Sequence, residues 1–175
     1  MEHPLEYTWN LYVTRNKKKP GKDRSVKEWE DRLVKVCSIA SAEEFWGVFN
    51  NLKAPSGLHG RGDYLLFKEG VMPEWEDARN EHGGAWNASV NEVAAIDQVW
   101  LDVLLHLIGF AFDEWTEHVC GVELTVRNLK YRVSLWTDTC EEAAARALGE
   151  ALKPLLGSRE LEFRQHNSSG VLYRV

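Results

Sequence analysis

The chain has 175 residues, 44% of them hydrophobic, enough for one substantial core, so residues 1–175 are expected to form a single domain. A formal net charge of -6 excludes a protein that holds nucleic acid through its overall field; any RNA contact has to be local. Cys37, Cys120 and Cys140 form no C-x-x-C pair, which argues against a zinc site or a disulfide scaffold and for a reducing compartment, the cytoplasm first and the nucleus second.

The start, MEHPLEYTW, lacks a basic segment followed by an apolar run. Residues 6–14 alternate apolar and polar as a strand does, and the loop RNKKKPGKDR that follows leads to Trp29. A second strand from Arg32 to Ile39 runs into Ser41-Ala42-Glu43-Glu44, a capping box opening a helix that reaches Asn51 and carries Trp46. After the loop APSGLHGRG, in which Arg61-Gly62-Asp63 reads as turn chemistry, a strand spans Tyr64 to Phe67 and turns at Glu69-Gly70. Pro73 and the Gly83-Gly84 pair leave Trp75 and Glu76 in a loop before a strand from Ala85 to Val90.

From Asn91 to Ala111, Ile96, Val99, Trp100, Val103, Leu104, Leu107 and Ile108 follow the helical period. The most apolar stretch, Val99 to Phe112, is too short to cross a bilayer and contains Asp102 and His106, so a soluble chain is expected. Strands from Val119 to Arg127 and Tyr131 to Trp136, a helix from Glu141 to Leu155, and strands at Leu161–Gln165 and Val171–Arg174 complete the order. The sum predicts an α+β fold, a curved antiparallel sheet of about eight strands with three helices on one face.

Eight tryptophans are present, and most are expected to serve the core. Side chains at i and i+2 share a strand face, so with Val122, Leu124 and Val126 inward, Arg127 points away from the core; with Tyr131, Val133 and Leu135 inward, so do Arg132 and Trp136. Two loop tryptophans near such a face suggest a ligand platform. Two indoles suit a guanine methylated at N7, whose delocalised positive charge adds cation–π attraction to stacking. Glu76 is the matching edge reader for the guanine N1–H and N2–H₂ donors, and Arg127 and Arg132 suit a phosphate chain.

The segments HPLEYTW, EEFWGVFNNL, GDYLLFKEGVMPEWEDARNEHGGAW, VWLDVLLHLIGFAFDE, VCGVELTVRN and VSLWTDTCE resemble the mRNA cap-binding translation initiation factor family, initiation factor 4E. The resemblance runs from His3 to about Glu141 and implies a cupped sheet with three helices on its convex back. It further implies that Trp29 and Trp75 sandwich the methylguanine of the mRNA 5' cap, that Glu76 and the Trp75 backbone N–H read its edge, that Trp136 lies by the methyl group, and that Arg127 and Arg132 contact phosphates. Ala85 and Leu129 stand where the family often has basic residues, and the last loop is short, which implies a weaker triphosphate grip. The basic run Arg15, Lys17, Lys18, Lys19, Lys22 and Arg24 reads as a solvated loop.

The helix around Trp100 is apolar around more of its circumference than one core stripe requires. The resemblance implies a convex-face site built by His3, Pro4, Trp46, Leu101, Asp102 and Leu105. It would take a helix of the Tyr-x-x-x-x-Leu-hydrophobic type from a scaffold initiation factor or a repressor. Asp102 is one carbon shorter than the glutamate usual there. Asp113, Glu114, Glu117 and His118 read as a solvated helix end rather than a metal site, because no second His or Cys stands at ligand spacing. A monomeric binding protein without metal, cofactor or catalytic residues is therefore expected, with a cap-binding repressor or regulatory isoform as the alternative and a nucleotide-processing enzyme as the remoter rival.

Overall fold

The computed structural model describes residues 2–14, 32–58, 61–157 and 159–175. Trp29 and the basic run from Arg15 to Arg24 lie outside these residues.

The described strands are β1 (Pro4–Thr14), β2 (Leu33–Ser41), β3 (Arg61–Lys68), β4 (Gly84–Val90), β5 (Val119–Arg127), β6 (Lys130–Thr137), β7 (Glu162–Gln165) and β8 (Tyr173–Arg174). They form one sheet in the order β2-β1-β3-β5-β6-β4-β7-β8, and every paired neighbour is antiparallel. Three α-helices accompany it among the described residues: α1 (Ala42–Phe49), α2 (Val93–Ile108) and α3 (Glu142–Leu152). No described helix is long and apolar enough to cross a membrane.

Strand alternation divides the sheet into two unlike faces. Val122, Leu124 and Val126 of β5, Tyr131, Val133 and Leu135 of β6, and Trp86, Ala88 and Val90 of β4 join Ile96, Val99, Trp100, Val103, Leu104 and Leu107 of α2 in the main core. Phe45 of α1 and Leu148 and Leu152 of α3 belong to the same cluster. The opposite face, free of helices among the described residues, carries a small second cluster of Tyr12, Leu65, Phe67, Val71 and Cys120, with Trp136 packed against it.

Local signals explain most boundaries. Ser41 caps α1 by accepting from the Glu44 N–H at 3.2 Å, whereas the Glu44 carboxylate takes the Ala40 N–H at 2.6 Å, one residue before the reciprocal partner of a capping box. α2 stops at Ile108, three residues short of expectation, because Gly109 caps it and Phe110 takes a left-handed φ of 58°. α3 stops at Leu152 and tightens to a 3-10 turn over Lys153–Leu156, where Pro154 removes a backbone donor. Asn128 and Leu129 both have positive φ, 52° and 61°, which joins β5 to β6 by a tight two-residue hairpin.

One reading fails. Arg61-Gly62-Asp63 is not a turn: these residues open β3, with Asp63 paired to Thr125 in the β5 register. The acidic segment forms a 3-10 turn, Asp113–His118, and the described residues hold no cluster of three or more potential metal ligands.

Candidate functional site

The helix-free face is ordered in rows by strand register. One row sets Phe67, Gly121, Trp136, Ala85 and Arg164 side by side across five strands. The next pairs Leu65, Glu123, Ser134, Asn87 and Glu162, and a third pairs Asp63, Thr125, Arg132 and Ser89. Trp136 and Arg132, four residues apart on β6, are separated by about 13 Å at the usual strand rise.

Trp136 is clamped on two sides. The Phe67 ring meets it edge-on at 5.4 Å and 76°, and the His166 ring packs against it at 4.2 Å and 38°. Phe67 reaches this position because Gly121 has no side chain: a Cβ there would stand 2.5 Å from the Phe67 ring and 2.6 Å from the Leu66 carbonyl oxygen. The His166 backbone N–H donates to the Gly83 carbonyl at 3.2 Å. Its buried Nε2 has no hydrogen-bond partner among the described residues, and burial pushes the imidazole pKa down to about 4.

Residues 69–83 connect β3 to β4 over the same end of the face. Asn80 is fully buried and donates through Nδ2 to the carbonyls of Met72 at 2.8 Å and Glu74 at 2.7 Å. The Asp77 carboxylate accepts from the N–H groups of Met72 at 2.9 Å and Arg79 at 2.8 Å, and Val71 anchors the loop in the second cluster. With the backbone polar groups tied inward, Trp75 faces outward at 49% exposure, and Glu76 beside it is exposed. A half-exposed indole held on an internally bonded loop is a preorganised stacking surface.

At the other end stand the two arginines. Arg127 forms an ion pair with Asp63, whose side chain is completely buried; the second contact, Nη2 to Oδ2, is 3.1 Å. Asp63 also accepts from the Thr14 hydroxyl at 2.8 Å. Arg132 is exposed on the same face. One row inward from Arg132 lies Glu123, opposite Ser134 and buried, accepting from Thr125 Oγ1 at 2.9 Å; burial raises its pKa against the attraction of Arg132.

The helix-covered side offers a second surface. Trp46 on α1 is 41% exposed and Leu105 on α2 is 37% exposed; Leu101 and Asp102 are partly exposed, with Asp102 accepting from Gln98 Nε2 at 2.7 Å. A cleft of about 230 Å³ lies between the helices, lined by Phe49, Leu52, Pro55, Trp100 and Leu101. His3 and Pro4 sit at the start of α1: His3 Nδ1 lies 2.6 Å from the Glu43 carboxylate, and the His3 carbonyl accepts from Ala42 N–H at 2.9 Å.

The structure therefore brings Trp136, Arg127 and Arg132 onto one face, with the loop bearing Trp75 and Glu76 anchored on it, and leaves Trp46, Leu101, Asp102 and Leu105 on the other. Sequence reasoning missed His166, Asp63 and Glu123. His166 falls in the short segment between the last two strands, Asp63 reads as turn chemistry, and Glu123 alternates onto the polar face of its strand, where nothing in the sequence signals its burial.

The eukaryotic initiation factor 4E family model matches residues 4–172. Eukaryotic translation initiation factor 4E of Candida albicans is 37% identical over 175 residues, covering 96% of this chain and 81% of the relative; mouse type 1B is 38% identical over 159 residues, covering 89% and 62%. The fold matches Caenorhabditis elegans eIF4E-3 in complex with the 4E-binding protein Mextli and a cap analog, with TM-score 0.90, 31% identity and full coverage of both chains. It matches Ascaris suum eIF4E-3 with an m2,2,7G cap at TM-score 0.89 and 31% identity, covering 100% of this chain and 99% of that one. The chain belongs to the eukaryotic initiation factor 4E family.

Proposed function

We propose that this chain binds the 7-methylguanosine cap of mRNA on its helix-free face and recruits a helical partner, a scaffold initiation factor or repressor, on its helix-covered face. In this reading it works as a non-enzymatic factor of translation initiation in the cytoplasm. The observation that carries it is the outward-facing Trp75, with Glu76 beside it, on a loop anchored against the sheet face where Trp136, Arg127 and Arg132 emerge.

Each part has a chemical task. Trp75 stacks on the methylated base and Trp29 is assigned the opposite side; the cationic base gains cation–π attraction from both. The Glu76 carboxylate and the Trp75 backbone N–H pair with the guanine edge, which excludes bases that lack two adjacent donors. Trp136, fixed by Phe67 and His166, presents its ring to the methyl group. Arg127, oriented by Asp63, and Arg132 hold the phosphates. His3, Pro4, Trp46, Leu101, Asp102 and Leu105 are assigned to the partner helix.

Titration with 7-methyl-GTP should quench tryptophan fluorescence, and GTP should quench far less. An equal response to the two ligands would refute the reading. Inclusion of an m2,2,7G analogue tests whether this chain shares the ligands of the Ascaris suum structures, which hold an m2,2,7G cap in one case and an m7G cap in another. Intact cap analogue after prolonged incubation with a divalent metal ion separates binding from turnover.

A further inference from the structure

At the end of the sheet where β3 stops at Lys68, β5 starts at Val119 and β6 stops at Thr137, a groove of about 690 Å³ opens. It includes none of the residues assigned to the cap or to the partner helix. Four acidic residues line it, Glu6, Glu69, Glu117 and Asp138, against the two cations Lys68 and Arg79, a formal charge of -2 with His118 neutral. The cations are engaged within the protein. Arg79 forms an ion pair with Asp138 at 2.8 Å, and His118 Nδ1 lies 2.9 Å from the same carboxylate. Lys68, only 6% exposed, donates to the carbonyls of Thr116 at 2.7 Å and Glu117 at 3.2 Å, and burial pulls its pKa down to about 8. Glu6, Glu69 and Glu117 are exposed, so the mouth of the groove is acidic.

Two routes join this groove to the partner face. Leu101 and Leu105 lie on successive turns of one row of α2, and the next position in that row is Gly109, whose N–H donates to the Leu105 carbonyl at 2.9 Å. Phe110 follows at a left-handed φ of 58°, unfavourable for a bulky side chain, and is 40% exposed. Its ring stacks on Tyr7 at 6.1 Å and 27°, and the Lys68 ammonium lies 3.9 Å from the centre of the Tyr7 ring. The second route is β1, in which Pro4 belongs to the partner site and Glu6, Tyr7 and Thr8 line the groove. We propose that the groove docks a basic, non-helical segment flanking the partner's helix, which enters it across the Phe110–Tyr7 shelf. The inference rests on the partner-face reading, because that reading brings the segment to the end of α2. A chain leaving the helix there crosses two aromatic rings, on which guanidinium groups stack, and then meets three exposed carboxylates. Charge selects the occupant: an acidic peptide or an RNA strand is repelled by the same carboxylates. Arginine suits the path better than lysine, since its planar head both stacks on Phe110 and forks onto a carboxylate.

The test measures binding of synthetic peptides to the full chain: a Tyr-x-x-x-x-Leu-hydrophobic helix alone, and the same helix with a short arginine-rich extension at its N-terminus or at its C-terminus. One of the extended peptides should bind roughly three- to tenfold more tightly than the helix alone, and the gain should shrink as salt is raised. Glu6→Gln combined with Glu69→Gln should abolish the gain and leave the affinity for the helix alone unchanged. Phe110→Ala should reduce it roughly two- to fivefold, the size of an exposed cation–π contact. Glu69→Gln alone should remove part of the gain, whereas Glu150→Gln, which removes the same charge from the exposed side of α3, should leave it intact. Equal affinity of all three peptides, equal gains at both ends, a gain that survives the double substitution, or an equal loss in Glu150→Gln would overturn the docking groove while leaving the partner reading intact. Failure of the unextended helix to bind the wild type would overturn the partner reading and the groove with it.

Discussion

His166 makes the stability of this chain depend on pH in a way that can be isolated. Its imidazole, packed on Trp136 with an unpartnered buried Nε2, is held neutral by burial, with its pKa lowered from 6.5 to about 4. A folded pKa below the unfolded one means that the unfolded chain binds more protons between these values. The contribution is therefore fully present above about pH 6.5 and is lost as pH falls toward 4. Between pH 7 and pH 5 the two proton-binding curves give a loss of about 1.8 kcal/mol, and because the ring is not wholly enclosed about 1–2 kcal/mol is expected. Urea unfolding at pH 7 and pH 5, of the wild type and of His166→Phe, measures it. Phenylalanine keeps a ring against Trp136 but cannot titrate, and every other group contributes equally to both proteins. The variant should lose about 1–2 kcal/mol less than the wild type on acidification; equal losses would show that His166 is not buried as a neutral ring and would refute the argument.

Other consequences follow from the same face. Trp75→Ala should weaken 7-methyl-GTP by about 1–3 kcal/mol, the usual worth of one stacked base, while unfolding free energy stays within about 0.5 kcal/mol because half the ring is already exposed; a large fall in stability would mean that the indole belongs to the core. Asp63→Asn should cost about 1–3 kcal/mol in urea unfolding, since a fully buried carboxylate that accepts from Arg127 and Thr14 is replaced by a neutral amide that turns an NH2 donor toward one of these donors; an unchanged midpoint would remove its role. Glu123 has a raised pKa through burial, so its penalty is absent in acid and grows as pH rises above the unfolded carboxyl value toward the folded one. Glu123→Gln should accordingly stabilise the chain at neutral pH and do little at pH 4, and the reverse pH trend in parallel melts would contradict this.

Much of this architecture was legible because the sheet is one-sided. With β5 and β6 read at period two, Val122, Leu124 and Val126 had to face the helices, and Arg127, Arg132 and Trp136 had to emerge together on the other side. The period of α2 was equally plain from Ile96 to Ile108. What stayed hidden depends on contacts across the sequence. Asp63 looked like a turn residue because Gly-Asp pairs usually are; only its partner in β5 makes it a strand residue and the anchor of Arg127. His166 sits in a turn by sequence but under Trp136 in space, thirty positions earlier in the chain. Arg164 opposite Ala85 was invisible for the same reason: strand pairing, not spacing, puts the cation there.

That one-sidedness also predicts how the two surfaces combine. Trp75 lies on a loop packed against the helix-free face through Val71, whereas Trp46 packs edge-on against Phe45 and Phe49 on α1, on the far side of the sheet and core. The two tryptophans share no described ring contact or hydrogen-bonded partner, so their substitutions should act independently. Trp46→Ala should weaken capture of a Tyr-x-x-x-x-Leu-hydrophobic helical peptide while leaving 7-methyl-GTP affinity unchanged, and Trp75→Ala should weaken 7-methyl-GTP while leaving peptide capture unchanged. In the double variant the cap and peptide free energies should equal those of the single variants within about 0.5 kcal/mol. A larger coupling would have to pass through the sheet itself. Its most direct route is β3, where Leu66 belongs to the helix-side core and the adjacent Phe67 supports Trp136. Repeating the cycle with Leu66→Ala would then reveal whether a contact on one face is felt as a repositioned ring on the other.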